Sequence, residues 1–141
     1  MVQLIIGNKG KGKTKFLLEK VNSEIKGILG NICYLDKSSK HMFELNNKVR
    51  LINVSDFNIE NTDQFIGFIS GIISQDHDIQ EIYIDGFEKL AQLPSDLCGL
   101  EECLTLLVEL GEIFNVKFTV GVSAEKEQLS PALQDMVTLA L

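Results

Sequence analysis

The chain has 141 residues, 45% of them hydrophobic and 23% charged, with a net charge of −7; that length fits one domain, residues 1–141, and the composition is that of a globular protein. No apolar run approaches the ~20 residues that a bilayer-spanning helix needs, since the longest, residues 65–73, is short and interrupted by Gly67, Ser70 and Gly71. The three cysteines, Cys33, Cys98 and Cys103, form no CxxC pair, and His41 and His77 lie far from them in sequence, which argues for reduced thiols in a cytoplasmic protein and against a zinc site or a membrane role.

The charge is unevenly spread. Residues 1–50 carry ten Lys/Arg against four Asp/Glu, whereas residues 51–141 carry three Lys against sixteen Asp/Glu. The acidic remainder argues against general nucleic-acid binding, which needs a broad basic surface. The same acidic part suits a basic protein partner.

In chain order, the apolar residues 2–6 are of strand length and run directly into a glycine-rich stretch, so they are not read as a signal peptide. A helix is predicted over residues 13–26, with Phe16, Leu17, Val21 and Ile25 on its apolar face and Gly27 and Gly30 as stops. Strands follow at residues 32–35, ending at Asp36, and at residues 49–54. A helix over residues 62–74 buries Phe65, Ile66, Ile69, Ile72 and Ile73, with Thr62 as its expected cap. Residues 81–84 form a strand ending at Asp85. A long helix over residues 97–114 carries Leu100, Leu104, Leu107, Leu110 and Phe114 at helical spacing. Residues 116–122 and 136–141 read as the last two strands. Strands alternating with helices, several as continuous apolar runs, predict an α/β fold: a three-layer αβα sandwich around a mainly parallel sheet. In such sheets ligands sit beyond the carboxyl ends of the strands, and Gly7, Asp36, Asp85 and Ser123 all fall there.

Residues 7–14 read GNKGKGKT and match G-x-x-x-x-G-K-[ST] at Gly7, Gly12, Lys13 and Thr14. Glycines let the backbone wrap an anion with its N–H groups pointing inward, and the following helix adds its positive end. Lys13 supplies a full charge for β- and γ-phosphate oxygens, and the Thr14 hydroxyl is a hard oxygen suited to Mg²⁺. Asn8, Lys9, Gly10, Lys11 and Lys15 complete the expected phosphate-binding segment. Asn8 stands where the deviant loop of the partition ATPases carries a lysine, so that group is excluded. Residues 81–85, EIYID, supply the partner carboxylate: Asp85 is expected to hold Mg²⁺ together with Thr14. The expected ligands are therefore ATP and Mg²⁺, and ATP is favoured over GTP because no NKxD-type guanine motif is present.

Hydrolysis also needs a group that orients the attacking water. Gly86 occupies the position directly after Asp85 where many such enzymes carry a glutamate, and Glu88, three residues on, is expected to face away. Asp36 at its strand tip and Ser123 beyond the residue 116–122 strand are the remaining catalytic candidates. Arg50 is the only arginine, so an arginine finger from a neighbouring copy in a homo-oligomer would have to be Arg50, with Lys126 as a substitute.

The order of GNKGKGKT, CYLDKSSKH, IYIDGFEKL, KFTVGVSAE and DMVTLAL resembles the RecA/KaiC-like branch of P-loop ATPases over nearly the whole chain. The resemblance implies a compact RecA-like core in which residues 116–122 lie between the first strand and the Asp85 strand, with Ser123 near the γ-phosphate. It also implies a glutamate where this chain has Ser38, which points to weak hydrolysis. The sequence also resembles small bacterial ATP-binding proteins sometimes labelled twitching-motility proteins; a pilus-retraction motor shares only the phosphate loop. Three functions fit: a slow ATPase or nucleotide-dependent switch, with residues 37–47 and 86–99 as its moving segments; a non-enzymatic ATP-binding assembly subunit; and a nucleoside-type kinase, for which the usual glutamate base, lid and zinc module are not evident.

Overall fold

The computed structural model describes residues 1–141. Six strands form a parallel sheet: β1 (Val2–Ile6), β2 (Asn31–Asp36), β3 (Arg50–Asn53), β4 (Ile79–Ile84), β5 (Lys117–Val122) and β6 (Val137–Ala140). Their spatial order is β3-β2-β4-β5-β1-β6. The longer helices are α1 (Lys13–Glu24), α2 (Thr62–Ser74) and α4 (Leu100–Phe114), with one-turn helices α3 (Phe87–Leu90) and α5 (Pro131–Gln134).

Strand order dictates the layers. The β1-to-β2 connection crosses the sheet in one direction, while β3-to-β4, β4-to-β5 and β5-to-β6 cross in the other. Right-handed crossovers then put α1 on one face and the other helices on the opposite face. The core divides accordingly. Ile5, Ile32, Tyr34 and Tyr83 pack with Leu17, Leu18 and Val21 of α1, whereas Leu4, Ile6, Leu35, Ile82, Ile84 and Val120 pack with Phe65, Ile69, Leu104 and Leu107. Alternate strand residues thus serve different helices, which is why the strands read as continuous apolar runs.

Several predicted bounds shift. The last long helix starts at Leu100 rather than at residue 97, because Leu97 adopts a φ of 62° and Gly99, at φ 89°, is the cap. The cap of α2 is Asn61, whose side chain accepts the Gln64 N–H, rather than Thr62. In α1 Leu17 and Val21 are fully covered as predicted, and Leu18 joins them in the core, while Phe16 is only partly buried at its edge. Phe114 is exposed at the end of α4, and Cys103 fills the α4 face instead. Cys33 and Cys103 are buried and Cys98 is exposed; no two pair, and burial pushes the thiols of Cys33 and Cys103 up to about 11. No helix is long and apolar enough to cross a membrane.

Candidate functional site

The strand order reverses about β1, and the connections leaving β1, β2, β4 and β5 all open at one end of the sheet. There a cavity of about 400 Å³ is lined entirely by polar residues and glycines. This is the crevice that the carboxyl-end rule anticipates.

The loop between β1 and α1 forms one wall. Gly7, Gly10 and Gly12 have φ values of 155°, 86° and 97°, conformations that side-chain-bearing residues adopt only at a cost. A Cβ on Gly7 would also come within 3.1 Å of the Leu141 Cβ. Gly12 caps α1 without any side-chain hydrogen bond, so the first N–H groups of the helix have no carbonyl or side chain to bind and carry the positive end of the helix dipole. Lys13 is 8% exposed, and its Nζ donates to Gly7 O at 2.6 Å and Asn8 O at 3.2 Å. Burial lowers its pKa, opposed by the carboxylates of Glu88 and Asp85.

Thr14, one residue into the helix, donates its hydroxyl to Asp85 Oδ2 at 2.9 Å. Asp85 is held from the other side as well: its N–H pairs with Leu35 O, and the Tyr34 hydroxyl donates to the same Oδ2 at 3.1 Å. Tyr34 lies flat against Tyr83 beneath the site, their ring centroids 6.2 Å apart. Burial and the Asp85 charge both push the Tyr34 hydroxyl pKa up, so it stays a donor.

Asp36 and Asp85 are neighbours, because β2 and β4 pair with Leu35 opposite Ile84. Asp36 is only 4% exposed. Its Oδ1 accepts the Lys37 N–H at 2.7 Å, and its Oδ2 has no partner. Burial raises its pKa, the Lys37 N–H opposes that, and Asp85 adds to it.

Glu88 does not face away. Gly86, at φ 76°, turns the chain at the end of β4 and caps α3, and the Glu88 side chain swings back to line the cavity. Its Oε1 accepts the Ser123 N–H at 2.8 Å, joining the ends of β4 and β5. The pattern Asp85-Gly86, a turn favouring positive φ, was the sequence signal for this reversal.

Lys9, Gly10, Gly12, Lys13, Thr14, Asp36, Asp85 and Ser123 thus share one cavity, joined by Lys37, Lys40, His41, Gly86, Glu88 and Lys89, which sequence reasoning did not assign. Asn8 turns outward to Glu125, its Nδ2 3.0 Å from Oε1. Lys11 lies outside the cavity, and Lys15 lines a separate depression with Leu18, Asn22 and His41 on the flank of α1. Arg50 is at the opposite end of the sheet, ion-paired with Asp76. Two hard oxygens, Thr14 Oγ1 and Asp85 Oδ2, converge beside the lysine and the helix end, a donor set that fits a small divalent cation carried in with a phosphate chain.

No family model and no curated protein matches the chain. Solved structures do match in fold. A KaiC-like protein from the hyperthermophilic archaeon Pyrococcus horikoshii aligns over 95% of this chain and 66% of its own, with a TM-score of 0.64 and 15% identity. The flagellar accessory protein FlaH from Methanocaldococcus jannaschii aligns over 96% of this chain and 65% of its own, with a TM-score of 0.62 and 10% identity. The chain therefore shares the RecA-like α/β fold of these two proteins, and it spans just under two thirds of their length.

Proposed function

We propose that residues 1–141 act as one nucleotide-binding unit that holds Mg-ATP on the residue 7–14 loop and works as a slow ATPase or nucleotide-dependent switch. The observation that carries this reading is the convergence of the uncapped α1 end, the Lys13 ammonium and the Thr14–Asp85 pair on one polar cavity. Lys13 rests on two loop carbonyls, acceptors that β- and γ-phosphate oxygens would replace with stronger, charge-assisted bonds. Thr14 and Asp85 would hold Mg²⁺, which supplies charge neutralisation on the phosphates. Tyr34 keeps Asp85 in place for that task.

For hydrolysis we assign Glu88 as the residue that orients the attacking water, with Ser123 fixing the Glu88 carboxylate through its N–H. Asp36 is the weaker candidate, because burial biases it toward the neutral form. Arg50 is occupied by Asp76 at the far end of the sheet, so the positive charge around a transferring phosphate comes from Lys13, Lys37 and Lys89 of the same chain. Slow turnover fits this set, since lysines lack the bidentate fork of an arginine. Both proposed switch segments line the cavity, residues 37–47 through Lys37, Lys40 and His41 and residues 86–99 through Gly86, Glu88 and Lys89. Nucleotide phosphates would pull these side chains inward and change the outer surface of the same segments. A basic protein partner for the acidic residues 51–141 belongs to the same proposal.

Calorimetry with ATP, ADP and GTP, with and without Mg²⁺, followed by phosphate release on the same sample, tests it. Micromolar or tighter binding of ATP that is strengthened by Mg²⁺ supports the reading. Equal affinity with and without Mg²⁺ removes the Thr14–Asp85 assignment.

A further inference from the structure

A second cavity, of about 280 Å³, adjoins the first. Val54, Phe57 and Ile59 from the β3–α2 connection and Leu90 from α3 give it an apolar wall. Lys37 and Lys89 belong to the walls of both cavities, and neither forms an ion pair. Two lysines without ion pairs in the same wall as these apolar side chains are complementary to a molecule with an apolar body and an acidic end.

The wall is a built structure. The Ser55 hydroxyl lies 2.6 Å from Lys37 O and from Asn53 Oδ1, which ties the β3–α2 connection to the backbone of Lys37 itself. Phe57 packs on Phe68, ring centroids 5.0 Å apart, yet stays 52% exposed, so it offers an apolar surface that is held in place. Gln92, also in the wall of this cavity, keeps a φ of 59°, a left-handed conformation that a residue with a side chain adopts only at a cost. None of these groups is needed to hold a nucleotide on the residue 7–14 loop.

We infer that this second cavity binds a small organic acid, an aryl or branched-chain carboxylate or phosphate ester, with its acidic group between Lys37 and Lys89. The inference rests on the nucleotide reading only for what occupies the neighbouring cavity. A ligand seated here has its acid group beside the terminal phosphate of a bound nucleotide, so the two ligands share the same lysines.

Amide chemical shifts of the full chain, titrated with 2-naphthoate and with phenylphosphonate, test it both without nucleotide and with a saturating non-hydrolysable ATP analogue and Mg²⁺. The expected result is saturable shifts at Ser55, Phe57, Ile59 and Gln92 in both series for at least one probe. The neutral 2-naphthamide should bind about tenfold more weakly, as should the Lys37→Gln/Lys89→Gln double variant, because a charge-assisted contact is lost. Ile59→Trp should fill the cavity and abolish the shifts while leaving nucleotide affinity within about twofold, as expected for a residue remote from the phosphates. Absence of saturable shifts for both acids, shifts confined to residues 7–14, or equal binding of the amide overturns the inference. A failure of nucleotide to bind would appear separately, as an unchanged spectrum at residues 7–14 on adding the analogue.

Discussion

The two ends of the sheet treat charge in opposite ways. At the amino end, Asp76 gathers the Arg50 guanidinium, the Asn31 amide and the Asp78 N–H onto one carboxylate, and the Gly30 N–H is satisfied by Gln80. At the carboxyl end, Lys9, Lys13, Lys37, Lys40 and Lys89 face Asp36, Asp85 and Glu88 across one cavity, and no two of them form an ion pair. One end spends its polar groups on each other and closes the fold. The other holds Asp85 and Glu88 through Thr14, Tyr34 and the Ser123 N–H but leaves its lysine and carboxylate charges without ion pairs and one Asp36 oxygen without a partner.

That contrast is breakable from either end. Lys13→Ala should cause the largest change, a loss of ATP affinity of roughly 100-fold or more as charge-assisted contacts to the phosphates disappear; calorimetry showing a loss below twofold would mean that the loop does not cradle phosphate. Glu88→Gln should slow phosphate release by about 100-fold while ATP still binds, and an unaltered release rate would return the water-orienting role to Asp36. Asp85→Asn should shrink the strengthening of ATP binding by Mg²⁺ by roughly tenfold, read from titrations with and without the ion. At the amino end, Asp76→Ala should lower the unfolding temperature by about a few degrees and leave ATP affinity unchanged; a coupled loss of affinity would show that the two ends are not independent.

The smallest effect concerns Asp36. Its pKa is raised by burial, so its neutral form stabilises the fold; that contribution is complete below the ordinary aspartate range and is lost as pH rises through the raised value. Asp36→Asn should therefore raise the unfolding temperature at pH 7 in the absence of nucleotide, with the difference vanishing toward acid pH. A destabilised variant at pH 7 would mean that the unpaired oxygen has a partner in solution.

Much of this arrangement could be read from residue order alone. GNKGKGKT is a contiguous motif between an apolar strand and an amphipathic helix, so its local chemistry and its context agree. The strand ends at Asp36 and Asp85 follow from where each apolar run stops. What could not be read depends on backbone angles and strand neighbours. Glu88 returns to the cavity only because Gly86 takes a positive φ. Lys37 and Lys89, 52 positions apart, converge because β2 and β4 are adjacent. The Tyr34 hydroxyl reaches Asp85 for the same reason, and a tyrosine at matching positions of both strands, Tyr34 opposite Tyr83, was the available hint. The start of α4 moved three residues because Leu97 leaves the helical region, which no spacing of apolar residues reveals.

The close approach of Leu141 to Gly7 has a practical use. The Leu141 N–H pairs with Ile6 O at 2.8 Å, and the side chain stands against the first glycine of the loop while remaining partly accessible to solvent. A fluorescent dye attached at Leu141→Cys, in a chain whose exposed Cys98 has been changed to Ser, would sit beside the first glycine of the loop and outside the residues that line the cavity. Its emission would then turn loop occupancy into an optical signal, readable in real time and at concentrations far below those that calorimetry requires.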